Sequence, residues 1–157
     1  VSTFDRPLFE LSGILGVMSD SDRRLIVGGS NPQLHERLSR ELAAFNVAAS
    51  GDDTQRGLSV EARLEGGGLT GWTWGTCAGV ETLWVAEAQR GDGWGSRLLA
   101  AAEEAAKSRG CVQVLVSSFT FQAPEFYRRL GYVELARSEG LPTVGHADVH
   151  FRKRLVE

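Results

Sequence analysis

The stretch of residues 83–99, LWVAEAQRGDGWGSRLL, constrains the fold more than any other part of the chain. An apolar, β-forming run stops, Gly91, Gly93 and Gly95 follow within five residues, and an alanine-rich helical segment begins. A strand that turns this tightly into a helix aims backbone N–H groups and the positive end of the helix at one spot. Glycine permits φ > 0 and lets an oxygen-rich group approach the main chain closely. The turn is therefore read either as an anion site, with a pyrophosphate as the natural ligand, or as a plain tight turn with glycine caps. A nucleoside-triphosphate loop requires a lysine that this turn lacks, the nearest being Lys107. The dinucleotide fingerprint fails in both registers, because Ser96 or Leu98 stands where its last glycine must be.

The rest of the chain narrows the class. Its 157 residues suit one domain with a core of its own, and its 42% hydrophobic and 24% charged residues are ordinary for a globular protein. No apolar run approaches the ~20 residues that span a bilayer. The net charge of −3, with no basic block longer than Arg152, Lys153 and Arg154, argues against nucleic acid as a partner. Cys77 and Cys111 are too few for a disulfide framework and belong to no zinc-like cluster. The first residues lack the basic start and apolar core of a secretory signal, so a cytoplasmic protein with reduced thiols is expected.

Residues 1–22 show no sustained period and are read as an N-terminal extension to a single domain over 23–157. Leu25, Ile26 and Val27 suggest a short strand stopped by Gly28 and Gly29. Asn31-Pro32 then starts a helix carrying Leu34, Leu38, Leu42 and Phe45 on one face, which is expected to end near Asn46. Leu58, Val60, Ala62 and Leu64 alternate with polar residues as a half-buried strand, and the glycines at 66–68 signal a hairpin. The next strand carries Trp72 and Trp74 on one side. A turn at Ala78-Gly79 leads into a strand over 80–85 and completes a three-stranded antiparallel meander. A helix over 93–109, a strand over 111–117, a short helix over 124–130 closed by Gly131 and two final strands follow.

Arg90-x-x-Gly93-x-Gly95 directly after an apolar strand resembles the Gln/Arg-x-x-Gly-x-Gly/Ala signature of the GNAT superfamily of acyl-CoA-dependent N-acetyltransferases. The segment APEFYRRLGY over 123–132 is similar to the family's second signature, around Phe-Tyr-x-x-Leu-Gly-Phe/Tyr. With the order of elements, the resemblance covers roughly residues 24–155. The stretch 118–127 and Gly145-His146 are similar to a subgroup of small bacterial members. The resemblance implies a mixed α/β fold, with a central, twisted, mostly antiparallel sheet of six or seven strands, helices on both faces and a V-shaped cofactor cleft where strands 80–86 and 111–117 diverge.

It implies acetyl-CoA as co-substrate and no metal. The backbone amides of residues 90–96, among them Arg90, Gly91, Gly93, Trp94, Gly95 and Ser96, would bind its pyrophosphate, and the main chain at Trp84 and Val85 would pair with the pantetheine arm. Thr120 stands where many members carry a cofactor-holding asparagine. Tyr127 occupies the family's tyrosine position and would return a proton to the leaving thiolate, its phenol and a thiol differing by only ~1.5 pKa units. An N–H near Val85 is the expected oxyanion donor. Asp92 is expected to point outward or to cap the helix.

An amine with an ordinary pKa near 10.4 is neutral in about one molecule in ~2,500 at pH 7, so a base should help. Glu81, on the face of Leu83 and Val85 by the period of two, is the first candidate, and an exposed strand carboxylate is the other reading of it. Glu125 is the weaker one. Trp72 and Trp74 are candidates for the wall of the acceptor pocket or for sheet core, and His146 for the pocket or the base. His146, Asp148 and His150 share one face of a strand, as in a metal site or a half-exposed edge. The expected reaction moves an acetyl group to a primary amine of a small molecule in a ternary complex. The alternatives are a CoA-binding sensor, an inactive member or a protein N-acetyltransferase. A membrane is not expected as a partner, and a homodimer is left open.

Overall fold

The computed structural model describes residues 25–62 and 66–156. The expected extension over 1–22 lies outside the described residues, as do Leu64 and Glu65 of the first hairpin. The described residues fall into two units that divide after Glu41. Residues 25–27 are not a strand: Leu25, Ile26 and Val27 are more than nine-tenths exposed and make no ladder. A three-residue run has too few positions to hold a strand without a neighbouring edge, however apolar it is.

Helix α1 (Pro32–Ser50) starts as its sequence dictates, with the Leu34 N–H donating to Asn31 Oδ1 at 2.9 Å and proline at the first helical position. It runs four residues past Asn46, because Val47, Ala48 and Ala49 offer no reason to stop. Gly51, at φ 71°, closes it by donating to the Val47 carbonyl. Its stripe of Leu34, Leu38, Leu42 and Phe45 is 40–67% exposed.

Residues 42–157 hold a six-stranded sheet, with β1 (Arg56–Ala62), β2 (Gly67–Trp74), β3 (Cys77–Val85), β4 (Gln113–Phe119), β5 (Val133–Glu139) and β6 (Ala147–Arg154) in the spatial order β1-β2-β3-β4-β6-β5. Only β3 and β4 run parallel. The meander turn lies at Gly75-Thr76 rather than Ala78-Gly79. Gly75, at φ 53°, supplies the left-handed position, whereas Ala78 and Gly79 are buried inside β3.

Helices α2 (Trp94–Ser108) and α3 (Pro124–Arg129) cover one face of this sheet. Leu99, Ala102 and Ala106 of α2 and Tyr127 of α3 pack on Leu69, Val114, Val116, Val149 and Phe151. Glu103 of α2, with its side chain 12% exposed, accepts from Lys153 Nζ at 2.7 Å and from the Tyr132 hydroxyl at 2.9 Å, tying the helix to the far strands. Burial and the Glu103 carboxylate push the Tyr132 phenol far above its ordinary value, and burial pushes that of Tyr127 up.

These are the chain's two tyrosines, so tyrosinate absorption reports on them alone. Below pH ~10 both phenols are protonated in the folded and unfolded chains, and stability carries no contribution from their titration. Above it the unfolded chain loses protons that the folded one keeps, so stability falls as pH rises. Tyrosinate absorption is expected to appear only together with the loss of folded structure. Ionisation near pH ~10 in the folded protein would contradict this packing.

Candidate active site

The β3–β4 ladder pairs Cys77 with Gln113 and ends at Val80 with Val116, although β3 continues to Val85 and β4 to Phe119. Past that pair the strands separate around a cleft of about 640 Å³, lined among others by Glu81, Trp84, Val85, Ser118, Phe126 and Tyr127. A second hollow of about 370 Å³ shares Val85, Arg90 and Phe126 with it and reaches the glycine turn. The splayed strands and the turn thus form one continuous site.

A bulge shapes its β3 wall. The register with β2 passes from Thr70 opposite Thr82 to Gly71 opposite Val80, which leaves Glu81 unpaired. The period of two is broken there. Val80 and Leu83 both pack toward the core, and Glu81 is an exposed bulge residue on the cleft rather than a regular member of the Leu83 and Val85 face.

The alternation of hydrogen bonds decides which main chain faces the cleft. The Ala86 N–H donates to the Gly66 carbonyl, so Trp84 and Gly68, two steps on, are likewise a bonded pair, and the polar groups of Trp84 turn toward β2. Leu83 and Val85 are the residues whose N–H and C=O point away from β2, into the cleft. Trp84 therefore brings only its side chain to the site. The Val85 carbonyl is held by Arg90 Nε at 3.1 Å, and the Val85 N–H is left for a ligand.

At the turn, a single 3-10 turn (Glu87–Gln89) leads to Gly91 and Gly93, with φ of 94° and 77°. Gly93 is the left-handed N-cap of α2, no side chain caps the helix, and the first intrahelical bond is from the Arg97 N–H to the Gly93 carbonyl. The N–H groups of Trp94, Gly95 and Ser96 thus lack helical acceptors and line the hollow. Gly95 packs closely against α3: a Cβ there would stand 3.3 Å from the Phe126 ring, which would have to give by a few tenths of an ångström. Trp94 is held by the Arg97 guanidinium, 4.2 Å from its ring centroid. Asp92 is exposed and neither caps α2 nor lines the hollow. Orphan amides, a glycine cradle and the nearby Arg129 suit a pyrophosphate-bearing ligand.

Tyr127 lines the cleft from α3, 7% exposed, its ring fixed edge-on by Phe126 and Tyr132 and stacked at 5.9 Å on Phe151. Its hydroxyl has no protein hydrogen-bond partner among the described residues. The raised phenol pKa keeps it a proton donor at neutral pH. Burial also pushes the Cys77 and Cys111 thiols up, which makes both poor nucleophiles.

Several expected residues lie elsewhere. Thr120 Oγ1 accepts from the Ala147 N–H at 3.1 Å, which ties it to β6, and Thr120 is not among the residues that line the two hollows. His146 precedes β6 with its ring edge-on to Phe121, and Trp74 is half-buried outside both hollows. Glu125 pairs with Arg128. Among the described residues no three His, Cys, Asp or Glu side chains gather as a metal site. No helix there is long and apolar enough to cross a membrane.

Arg129, Phe126 and Ser118 were not foreseen. Ser118, 4% exposed, accepts from the Ala123 N–H at 3.3 Å and pins the loop into α3. Its position at the carboxyl end of a parallel strand, where ligands of α/β sheets bind, was the available signal.

Known proteins agree with this geometry. Residues 52–134 match the family model of the GNAT acetyltransferase domain. An acetyltransferase of Agrobacterium fabrum is 36% identical over 98 residues, covering 60% of this chain and 72% of the relative. A blasticidin-S acetyltransferase of Streptomyces morookaense is 47% identical over 70 residues, covering 42% of this chain and 49% of the relative. The crystal structure of an acetyltransferase from Agrobacterium tumefaciens superposes with a TM-score of 0.76 at 29% identity, covering 83% of this chain and 98% of that one. With its family model matched over more than half its length, its cleft at the splay of the one parallel pair and its uncapped glycine turn, the chain belongs to the GNAT family of acetyl-CoA-dependent N-acetyltransferases.

Proposed function

We propose that the protein acetylates a primary amine of a small molecule by direct attack on acetyl-CoA in a ternary complex. The observation that carries this reading is the convergence on one cleft of the unpaired Val85 N–H and the Tyr127 phenol, with both thiols held protonated. Acetyl-CoA brings an acyl group already activated as a thioester, so the chain's task is to position and polarise it, and positioning alone is worth ~7–11 kcal/mol.

The amides of Trp94, Gly95 and Ser96, with Arg129, hold the pyrophosphate. The Leu83 and Val85 main chain pairs with the pantetheine arm as an added strand. As the amine nitrogen bonds to the acyl carbon and the carbon–sulfur bond breaks, the Val85 N–H stabilises charge on the carbonyl oxygen and Tyr127 gives its proton to the departing sulfur. Glu81, exposed on the bulge, receives the ammonium proton directly or through water and releases it to bulk solvent, and the second proton, lost from the nitrogen as the amide forms, returns through water to Tyr127. The blasticidin-S acetyltransferase likeness supports a small-molecule acceptor, and two free thiols support a reducing, cytoplasmic setting.

Thermal stability with acetyl-CoA, and with NAD and ATP as controls, tests the site. Ligand at ~100 times its dissociation constant adds about 2.7 kcal/mol, a shift of several degrees at this size. A shift with acetyl-CoA alone, followed by thiol release in an amine screen, is expected. An equal shift with NAD, or none, would overturn the assignment.

A further inference from the structure

Beyond Val80 and Val116, the last rung of the parallel pair, each wall of the cleft presents an aromatic ring. Trp84 lies near the end of β3 and Phe121 just after the end of β4. Each is 54% exposed, and both line the cleft. A single apolar residue at a surface is ordinary, but two aromatic rings left exposed on the two walls of one cleft are apolar area that a ligand can cover.

Both rings stand on the sheet face away from α2 and α3. Leu83 packs against the core, and Val85 Cγ2 lies 3.9 Å from an ideal Cβ at Gly95 of α2, so Trp84 between them projects to the opposite face. On the other wall, Ser118 pairs with Val149, both buried on the core side, and Phe119 is next along the strand, projecting away from the core. Phe121 stacks on Phe119, with centroids 5.3 Å apart and planes 6° from parallel, and so shares that face. His146 meets Phe121 edge-on at 5.1 Å, and these two neighbours fix the ring before a ligand arrives. Phe119 does not line the cleft and therefore backs Phe121 from behind. Trp72 lines a separate hollow of about 290 Å³ and takes no part in this arrangement.

We propose that Trp84 and Phe121 clamp the acceptor, and that the acceptor is an amine carried by a short chain on a flat, uncharged aromatic ring. The α2 amides and Arg129 take the pyrophosphate on the helix side, which leaves the two rings to the acceptor. Its ring lies between Trp84 and Phe121, and its ammonium points along the cleft toward Glu81, which lines the same cleft from the bulge. Stacking rewards a flat π face at both walls, whereas an equally apolar but puckered ring gains only its burial. The inference rests on the acetyltransferase reading for its reaction, but not for its binding step.

Calorimetric titration with phenethylamine and with cyclohexylethylamine, in the presence of CoA to allow binding without turnover, separates stacking from burial. The protein is expected to bind phenethylamine about tenfold more tightly. Trp84→Leu and Phe121→Leu should each lower that preference about threefold, and the double variant should abolish it. Unchanged thermal midpoints check that the variants are folded, and if the double variant fails this check the single ones decide. Equal affinity for the two amines, binding of neither, or a preference kept in the folded variants would overturn the proposal and leave the acetyl-transfer reading to its own test. Thiol release with no amine, alongside an intact preference for phenethylamine, would overturn the acetyl-transfer reading alone.

Discussion

Tyr127→Phe is expected to lower kcat by about 10²–10⁴-fold with little change in the KM for acetyl-CoA. The ring's contacts with Phe126, Tyr132 and Phe151 survive the substitution, so the cleft wall keeps its shape. The hydroxyl has no protein partner among the described residues, and its removal strands no buried donor or acceptor, which should keep the change in stability under about 1 kcal/mol. What disappears is the proton donor for the departing thiolate. The loss should therefore shrink when the acyl group is offered on a more acidic thiol, which departs without help. Steady-state kinetics on free amines checks this. Unchanged kcat would reduce Tyr127 to a packing residue and leave the departing sulfur to be protonated by water.

How far the sequence reached depends on whether a feature is local. The α1 cap at Asn31, the Gly91 and Gly93 conformations and the proline start of α3 are each set by a few neighbouring residues, and all stand as read. The meander was also legible from its alternation, though with its second turn set too late, whereas the divergence of β3 and β4 was expected only from the family resemblance. Glu81 was misplaced because a bulge is a property of two strands in register, and no residue of β3 alone announces it. Trp84 was named for its main chain because a strand's sequence does not say which carbonyls its partner consumes, and the Ala86 bond to Gly66 does. The tie of Thr120 to β6 was hidden for the same reason, since its partner Ala147 lies 27 residues away.

Gly95→Leu is expected to abolish the thermal shift produced by acetyl-CoA while leaving a folded protein. Gly95 lies in the first turn of α2, and leucine is a better helix former than glycine by up to about 1 kcal/mol, so backbone preference favours the variant. Space decides the outcome. The Phe126 ring already stands 3.3 Å from an ideal Cβ, and Val85 Cγ2 stands 3.9 Å away, so a leucine must push the ring or turn its own side chain into the hollow. Both movements close the room between the α2 amides and α3 in which the pyrophosphate is proposed to lie, at the junction where the two hollows share Val85 and Phe126. Overpacking of about 1–3 kcal/mol is tolerable for the domain, and the same strain at a ligand contact weakens binding by roughly 10–100-fold. Pairing the variant with Phe126→Ala tests the cause, since the space vacated by the ring should restore part of the shift. A full acetyl-CoA shift in Gly95→Leu alone would show that the glycine is a helix-packing residue and that the anion is held elsewhere.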